Sequence, residues 1–224
     1  MFGRIVILSA PVWLLVFVVA ASAQPADEAA AKENEAAPLT SAQLYPLAQD
    51  AEWHYTMHTE KGDAEMSYQV AKLESEADQE AYRVEMVLDK KIVLTEQLNQ
   101  TPEGLFRTQL QDAKLSPPLL LLKNPVKSGE QWRTKTQIGA QELTIECQVE
   151  SERVSVPAGE YDAVKLTVST QANESDIRST YWFAAGVGIV RQEAKIGDEP
   201  TMSIELTSYQ PGPSAAPNNQ VSAE

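Results

Sequence analysis

The chain has 224 residues, with 32 acidic residues against 18 basic residues and a formal net charge of −14. An acidic surface of this kind repels phosphate groups, so the charge argues against nucleic acid as a partner and disfavours anionic lipid surfaces. The single cysteine excludes an intramolecular disulfide and a cysteine-based zinc cluster, and two histidines leave few nitrogen ligands for a transition metal. We therefore expect no metal ion and no cofactor.

The first 23 residues have the composition of a cleavable secretory signal peptide. Arg4 gives the positive start, residues 5–20 form an apolar run, and Ala21, Ser22 and Ala23 supply the small residues that precede a cleavage site. A membrane anchor is the alternative, because the apolar run is only slightly shorter than the roughly 20 residues that span a bilayer. An acidic polar stretch follows, which favours cleavage after Ala23 and a secreted or periplasmic protein with no remaining membrane span.

Two further segments are too polar or too short to fold alone. Residues 24–43 are rich in Ala, Glu and Pro, and they predict a disordered acidic tether, with a marginal Ala-rich helix as the alternative. At the other end, Pro211-Gly212-Pro213 stops the last strand, so residues 210–224 are predicted to form a disordered tail. This leaves residues 44–209 as one folded domain.

Apolar residues recur at every second position through this domain, which is the period of β-strands. The clearest case is Leu143, Ile145, Cys147 and Val149, which alternate with polar residues. Such a pattern is typical of an antiparallel sheet that is apolar on one face and solvated on the other. The pattern predicts about eleven strands, over residues 53–58, 66–71, 82–88, 92–98, 105–110, 132–138, 143–150, 164–168, 177–183, 187–191 and 202–206.

Turn residues separate these strands at short intervals, and short connections favour pairing between successive strands. The fold class predicted is therefore all-β, an antiparallel meander that forms a curved sheet, a half-barrel or a barrel. Residues 119–122 form an apolar run after Pro117-Pro118, and they are either a buried strand between two halves of the domain or an exposed docking patch. Burial is the favoured interpretation.

An internal match predicts that the domain contains two diverged repeats. Pro46 and Trp53 recur as Pro125 and Trp132, an offset of 79 residues. Further along, the sequence Gly-Leu-Phe-Arg at residues 104–107 aligns with Gly-Ile-Val-Arg at residues 188–191, an offset of 84. We therefore interpret residues 44–123 and 124–209 as two copies of one unit, with chance similarity between two meanders as the alternative.

Four segments resemble uncharacterised secreted all-β proteins of planctomycete-type bacteria. They are Tyr45-Pro46-Leu47 with Trp53, residues 124–132, residues 156–161 with the motif Pro-Ala-Gly-x-Tyr, and residues 181–188 with the motif Tyr-x-x-x-x-Gly-Val-Gly. The resemblance covers nearly all of the predicted domain and implies an exported protein with no assigned activity. A looser similarity is to the lipoprotein-localisation carriers, whose curved antiparallel sheet encloses an apolar cavity for acyl chains. That similarity implies a lipid or another apolar ligand.

The tryptophan, proline, glycine and tyrosine residues of these motifs are predicted to have structural roles. The two tryptophans begin strands and would anchor the core, with a ligand-lining role as the alternative. The Pro-Ala-Gly segment predicts a turn, and Gly-Val-Gly predicts a bulge or sharp bend, because it lacks the further glycine and the helix of a dinucleotide-binding fingerprint. These motif positions are Trp53, Trp132, Pro157, Gly159, Tyr161, Gly186 and Gly188.

No catalytic residue is predicted. His54 and His58 lie on one strand about 13 Å apart, too far to share an ion, and they are expected on the solvated face. Cys147 is expected on the apolar face, where thiols are usually inert. The carboxylates are numerous but are expected at scattered, outward-facing positions.

Three functions remain open. The first is a non-catalytic envelope protein that binds an apolar or amphiphilic ligand within the curved sheet, since a sheet of ten or more strands leaves more room than side chains alone usually fill. The second is a structural or interaction module whose acidic surface meets a basic or calcium-bridged envelope protein partner. The third is a hydrolase whose site forms only on folding.

Overall fold

A computed structural model describes residues 38–76, 79–172, 175–197 and 199–213. The predicted signal peptide, most of the predicted tether and most of the predicted tail lie outside these residues and stay predictions. Within the described ranges, no helix has the length and apolar character needed to cross a membrane.

The described chain forms one short helix followed by twelve strands, each antiparallel to its neighbours. The helix is α1 (Ser41–Leu44). The strands are β1 (Glu52–Thr59), β2 (Gly62–Glu76), β3 (Gln79–Leu88), β4 (Lys91–Thr101), β5 (Gly104–Leu110), β6 (Ala113–Lys123), β7 (Gln131–Ile138), β8 (Gln141–Val156), β9 (Gly159–Ala172), β10 (Ser175–Ala184), β11 (Gly188–Ile196) and β12 (Glu199–Gln210).

The strands close into a barrel, because β1 pairs with β12 as well as with β2. Each of the other strands pairs with the strands before and after it in the chain. The predicted all-β antiparallel meander is therefore confirmed, and the barrel is the form it takes among the alternatives. Closure pairs each strand on both sides, although the pairing of β6 with β7 is short.

The eleven strands predicted from alternation correspond to β1–β5 and β7–β12, and the twelfth, β6, contains the run at residues 119–122 that the sequence predicts to be either a buried strand or a docking patch. The first half of β6 contains Pro117 and Pro118, and its second half is an unbroken leucine run, so it shows no alternation. Leu119, Leu121 and Leu122 are buried, which confirms the burial predicted for residues 119–122.

The contact between β6 and β7 is the shortest in the barrel, with two residues of each strand paired. Beyond those pairs, side chains of the second strand bind carbonyl groups of the first. The indole N–H of Trp132 donates to the carbonyl of Leu120 at 3.3 Å, and the hydroxyl of Thr136 donates to the carbonyl of Pro117 at 2.7 Å. These bonds hold the two strands together where the ladder is absent.

The helix α1 begins with a capping box. The Thr40 hydroxyl accepts the backbone N–H of Gln43, while the Gln43 side chain accepts the backbone N–H of Thr40. Both bonds satisfy donors that a helix start leaves without partners. This explains why a helix of four residues forms at this point.

The segment that contains α1 packs across one end of the barrel. The backbone N–H of Ser41 donates to the Asn124 side chain at 2.7 Å, and the side chain of Gln100 donates to the carbonyl of Tyr45 at 2.7 Å. Residues 38–43, which the sequence assigns to the tether, thus pack against this end of the barrel.

The first strand pair of each predicted repeat has the same register. Trp53 faces Tyr68 across β1 and β2, and Trp132 faces Cys147 across β7 and β8, so both members of each pair differ by 79 residues. Each predicted repeat supplies six strands, β1–β6 and β7–β12. The duplication itself stays a prediction, and we call these two sets of strands the first half and the second half.

Candidate functional site

A cavity of about 340 Å³ lies inside the barrel. Its volume falls within the range of about 300–1,000 Å³ that is typical of small-molecule sites. Most of the lining is apolar, and it comes from Met86, Leu94, Leu98, Leu105, Leu110, Leu121, Leu166, Phe183, Ile189 and Met202. The polar part of the lining comes from Tyr45, Tyr68, Glu96, Arg107, Ser179, Tyr181 and Gln192.

An aromatic cluster forms the closed end of the cavity. The ring of Tyr45 lies 5.3 Å from that of Trp53 and 5.8 Å from that of Phe183, between ring centroids. Trp53 is fully buried, and its indole N–H donates to the carbonyl of Val187 at 2.5 Å. The cluster needs a glycine at position 188, because a Cβ there would lie 2.9 Å from the Trp53 indole nitrogen.

The opposite end of the cavity is the more exposed one. Along β4, Leu94 is half-buried, Glu96 is 7% exposed and Leu98 is 1% exposed. Along β5, Leu105 is fully buried and Leu110, next to the turn into β6, is half-buried. The cavity is therefore reached from the end that carries the β3–β4 and β5–β6 turns.

A buried ion pair lies midway along the cavity wall. Arg107 donates from Nε to a carboxylate oxygen of Glu96 at 2.7 Å, and the two side chains are 15% and 8% exposed. Burial lowers the pKa of Arg107, but the charge of Glu96 and hydrogen bonds to Glu96 and Tyr181 outweigh burial and raise that pKa. The guanidinium is thus charged, and its charge is compensated inside the barrel.

The ion pair belongs to an interior polar cluster, which we define as Glu96, Arg107, Tyr181, Gln192 and Tyr68. Tyr181 and Gln192 are cross-strand partners on β10 and β11, and the Tyr68 hydroxyl donates to the Gln192 side chain at 3.4 Å. Burial raises the pKa of Tyr68, so its hydroxyl stays protonated at neutral pH. The cluster links strands of the first half to strands of the second half.

The inward position of Glu96 corrects one expectation from the sequence. The carboxylates were expected at outward-facing positions, but Glu96 lies between Leu94 and Leu98 on the inner face of β4. A buried carboxylate is stable there because Arg107 pairs with it. The spacing of the sequence could have predicted this inward position, since residues 94, 96 and 98 share one face of a strand.

Trp53 and Gly188 belong to the closed end, and the other predicted motif positions lie in turns or at strand starts. Trp132 is half-buried beside β6. Gly186 has a φ of 74° in the β10–β11 turn, and its N–H donates to the carbonyl of Gln43 at 2.7 Å. This bond ties the turn to α1.

The Pro-Ala-Gly motif forms the β8–β9 turn. Pro157 and Ala158 form the turn, and Gly159 has a φ of 140°, a conformation that side chains other than glycine rarely adopt. The hydroxyl of Tyr161 donates to the carbonyl of Ala158 at 3.3 Å. All three motif residues, Pro157, Gly159 and Tyr161, lie outside the cavity lining.

The histidines and the cysteine lie where the alternation predicts. The side chains of His54 and His58 are 40% and 39% exposed, and His58 contacts Asp63 at 2.8 Å. Cys147 is buried, and burial raises the pKa of its thiol to about 12, so the thiol stays protonated at neutral pH. Among the residues described, no three or more His, Cys, Asp and Glu side chains are grouped so as to hold a metal ion.

Comparisons with known proteins give matches without an assigned activity. A family model described as DUF3108-like matches residues 135–205, from β7 to β12. No curated protein matches the chain. The resemblance to planctomycete-type proteins stays a prediction.

Two solved structures are similar to the chain. One is a candidate lipoprotein from Parabacteroides distasonis, at 15% identity over 75% of this chain and 98% of that chain, with a TM-score of 0.44. The other is a candidate exported protein with a YmcC-like fold from Bacteroides fragilis, at 13% identity over 75% of this chain and 99% of that chain, with a TM-score of 0.49.

Proposed function

We propose that the protein is exported and binds a small apolar or amphiphilic molecule inside the barrel, without catalysing a reaction on it. The observation that carries the proposal is the cavity of about 340 Å³, which is lined mostly by aliphatic and aromatic side chains and is reached from one end of the barrel. Export rests on the predicted signal peptide at residues 1–23.

The lining determines what the cavity can hold. Burial of apolar ligand surface contributes about 25 cal/mol per Å², so an alkyl chain gains free energy at each position along the wall. Leu98, Leu105 and Leu166 supply such a wall at depth, and the aromatic cluster with Tyr45 stops the chain at the closed end. A ligand with an apolar chain of limited length suits this shape.

Two observations favour binding over catalysis. The carboxylate of Glu96 is engaged by Arg107 and serves to neutralise it. The thiol of Cys147 is protonated at neutral pH and lies outside the cavity lining. Neither group is placed to act as a base or a nucleophile on a molecule in the cavity.

The proposal is tested by thermal unfolding of the full chain with dodecanol. A ligand that binds only the folded state stabilises it, by about 2.7 kcal/mol at a concentration of 100 times its Kd. We expect the Tm of the wild-type protein to rise with dodecanol concentration. Native mass spectrometry of the same samples is expected to show one added dodecanol mass.

Neighbouring positions on β10 supply a blocking variant and its control. Ser179 lines the cavity, so S179W fills it, whereas Arg178 is exposed on the other face of the same strand and R178W leaves it open. The rise in Tm is expected to disappear in S179W and to persist in R178W. A rise that survives S179W, or no rise in the wild type, contradicts the proposal and leaves the interaction module and the hydrolase as the remaining hypotheses.

A further inference from the structure

We propose that the ligand carries an uncharged polar group that can both donate and accept a hydrogen bond, such as an alcohol or an N–H amide, in preference to a carboxylate or a phosphate. This inference rests on the proposed function, because it names the class of molecule that the same cavity takes. It follows from the charge balance and the hydrogen-bonding groups of the interior polar cluster.

The cavity lining has no net charge. Of the described side chains that line it, Glu96 is the acidic one and Arg107 the basic one, and they form a direct ion pair at 2.7 Å. Burial keeps the pKa of both Tyr45 and Tyr68 above the ordinary value. A bound anion would therefore add an uncompensated negative charge next to Glu96.

The environment makes that extra charge costly. Aliphatic side chains lie on both sides of the charged pair along the cavity, with Leu94 and Leu110 towards the open end and Leu98 and Leu105 towards the closed end. An ion moved from water to such a site loses hydration worth several kcal/mol unless a free counter-charge receives it. Arg107 is not such a counter-charge, because Glu96 already neutralises it.

The hydrogen-bonding groups favour a ligand that can donate as well as accept. The guanidinium of Arg107 offers N–H donors, while the carboxylate of Glu96 offers acceptors and Gln192 offers both. A hydroxyl or an N–H amide can use both kinds of group, whereas a carboxylate or a fully ionised phosphate only accepts. The interior polar cluster thus matches an uncharged polar group in chemistry as well as in charge.

The cluster also lies part-way along the cavity and not at its rim. Glu96 is two residues deeper along β4 than the half-buried Leu94 and two residues before the buried Leu98. Apolar wall therefore lies on both sides of the polar group. A ligand whose uncharged polar group has apolar segments next to it is stabilised along its whole length.

The test compares dodecanol with dodecanoate, which have the same chain length and differ in the charge of the polar group. Their Kd values for the full wild-type chain are measured at neutral pH by calorimetry. We expect dodecanol to bind about tenfold more tightly or better, since tenfold corresponds to only about 1.4 kcal/mol of the desolvation cost. Dodecanoate that binds equally or more tightly overturns the inference.

Charge variants of the interior polar cluster test whether its charge balance causes the preference for dodecanol. E96Q leaves Arg107 without its counter-charge, so this variant is expected to prefer dodecanoate. The double variant E96Q/R107Q removes both charges, so it is expected to prefer dodecanol again. E193Q changes the partner of Arg191 outside the cavity lining, and is expected to keep the wild-type preference.

The outcomes separate this inference from the proposed function. If neither probe binds the wild type, the proposed function fails. If both probes bind and dodecanoate is preferred, only the inference on charge fails. If E96Q does not fold, the wild-type ratio and the double variant still decide, because neither leaves an uncompensated charge in the barrel.

Discussion

Two arginines occupy matching positions in the two halves of the barrel and lie on opposite sides of its wall. Arg107 of the first half lines the cavity and pairs with Glu96. Arg191 of the second half, aligned with it at the offset of 84 residues, packs its guanidinium 5.1 Å from the ring centre of Trp182 and pairs with Glu193 at 2.5 Å.

The cause of this difference is the place of one extra residue. In β11, Ile189 faces Phe183 and Arg191 faces Trp182, so Val190 is an extra residue between them. A bulge of this kind inverts the alternation of side chains. Ile189 therefore lines the cavity, whereas the side chain of Arg191 lies on the outer face of the strand.

In β5 the corresponding irregularity comes later in the strand. Arg107 faces Leu98 and Gln109 faces Gln97, so the extra residue, Thr108, follows the arginine. Leu105 and Arg107 therefore share the inner face. A matching motif therefore predicts the residue type at a position, while the location of the bulge determines whether that side chain lines the cavity or lies on the outer surface.

The largest expected contrast between the halves is at the aligned tryptophans. Trp53 is fully buried and stacks on Tyr209 at 5.1 Å, whereas Trp132 is half-buried. Trp53→Ala is expected to lower the free energy of unfolding by about 3–5 kcal/mol, and Trp132→Ala by about half as much. Denaturant unfolding monitored by circular dichroism measures both. Equal losses would show that the halves are packed alike.

The second contrast tests the two arginine pairs. Glu96→Gln leaves a buried charge without a partner and is expected to cost about 3 kcal/mol of unfolding free energy. Glu193→Gln breaks a pair whose side chains are 26% and 32% exposed, and is expected to cost less than about 1 kcal/mol. The same unfolding measurement applies, and a larger loss for Glu193→Gln would place the important pair on the outer face.

The third contrast uses pH, because buried tyrosines are concentrated in the first half. Burial raises the pKa of Tyr55, so the folded state keeps a proton that the unfolded chain loses near pH 10. The contribution of this hydroxyl to the free energy of unfolding is therefore constant below that pH and falls as pH rises above it. The fall is about 1 kcal/mol between pH 10 and pH 11 for one such group. Tyr55→Phe is expected to reduce the fall by that amount in unfolding curves at the two pH values. An unchanged fall would contradict the role of this hydroxyl.

The smallest contrast concerns two exposed turns. Lys90 has a φ of 63° and Gly139 a φ of 62°, a conformation that costs a side chain about 1 kcal/mol. Lys90→Gly is expected to stabilise the protein and Gly139→Ala to destabilise it, each by about 1 kcal/mol. The space around Gly139 is open, so its change isolates the backbone effect. Changes of the same sign in the two Tm values would contradict this account.

The sequence predicts most of the fold because alternation is a local property. Trp53 and Tyr55 face inward for the same reason that His54 faces outward, and eleven strands follow from this rule. The alternation rule does not identify β6, because Pro117-Pro118 and the leucine run have no period of two. Closure between β1 and β12 is a contact between distant parts of the chain, and no local pattern encodes it.

The candidate site is less predictable than the fold. The spacing of Leu94, Glu96 and Leu98 places the carboxylate on the inner face, but its partner, Arg107, lies on the next strand and is recognised only from the register. The same motif in the second half points outward because of Val190. Bulges are set by packing across strands, so alternation alone assigns the wrong face beyond them.

The most direct test of the central claim, a ligand inside the barrel, is a crystal structure of the protein with bromine-substituted dodecanol. The anomalous signal of bromine locates the chain without reference to any assumed pose. We expect one bromine peak within the cavity, between the aromatic cluster at Tyr45 and the open end near Leu94. Bromine found only on the outer surface of the barrel, with the cavity lining collapsed or filled by water, would contradict the account.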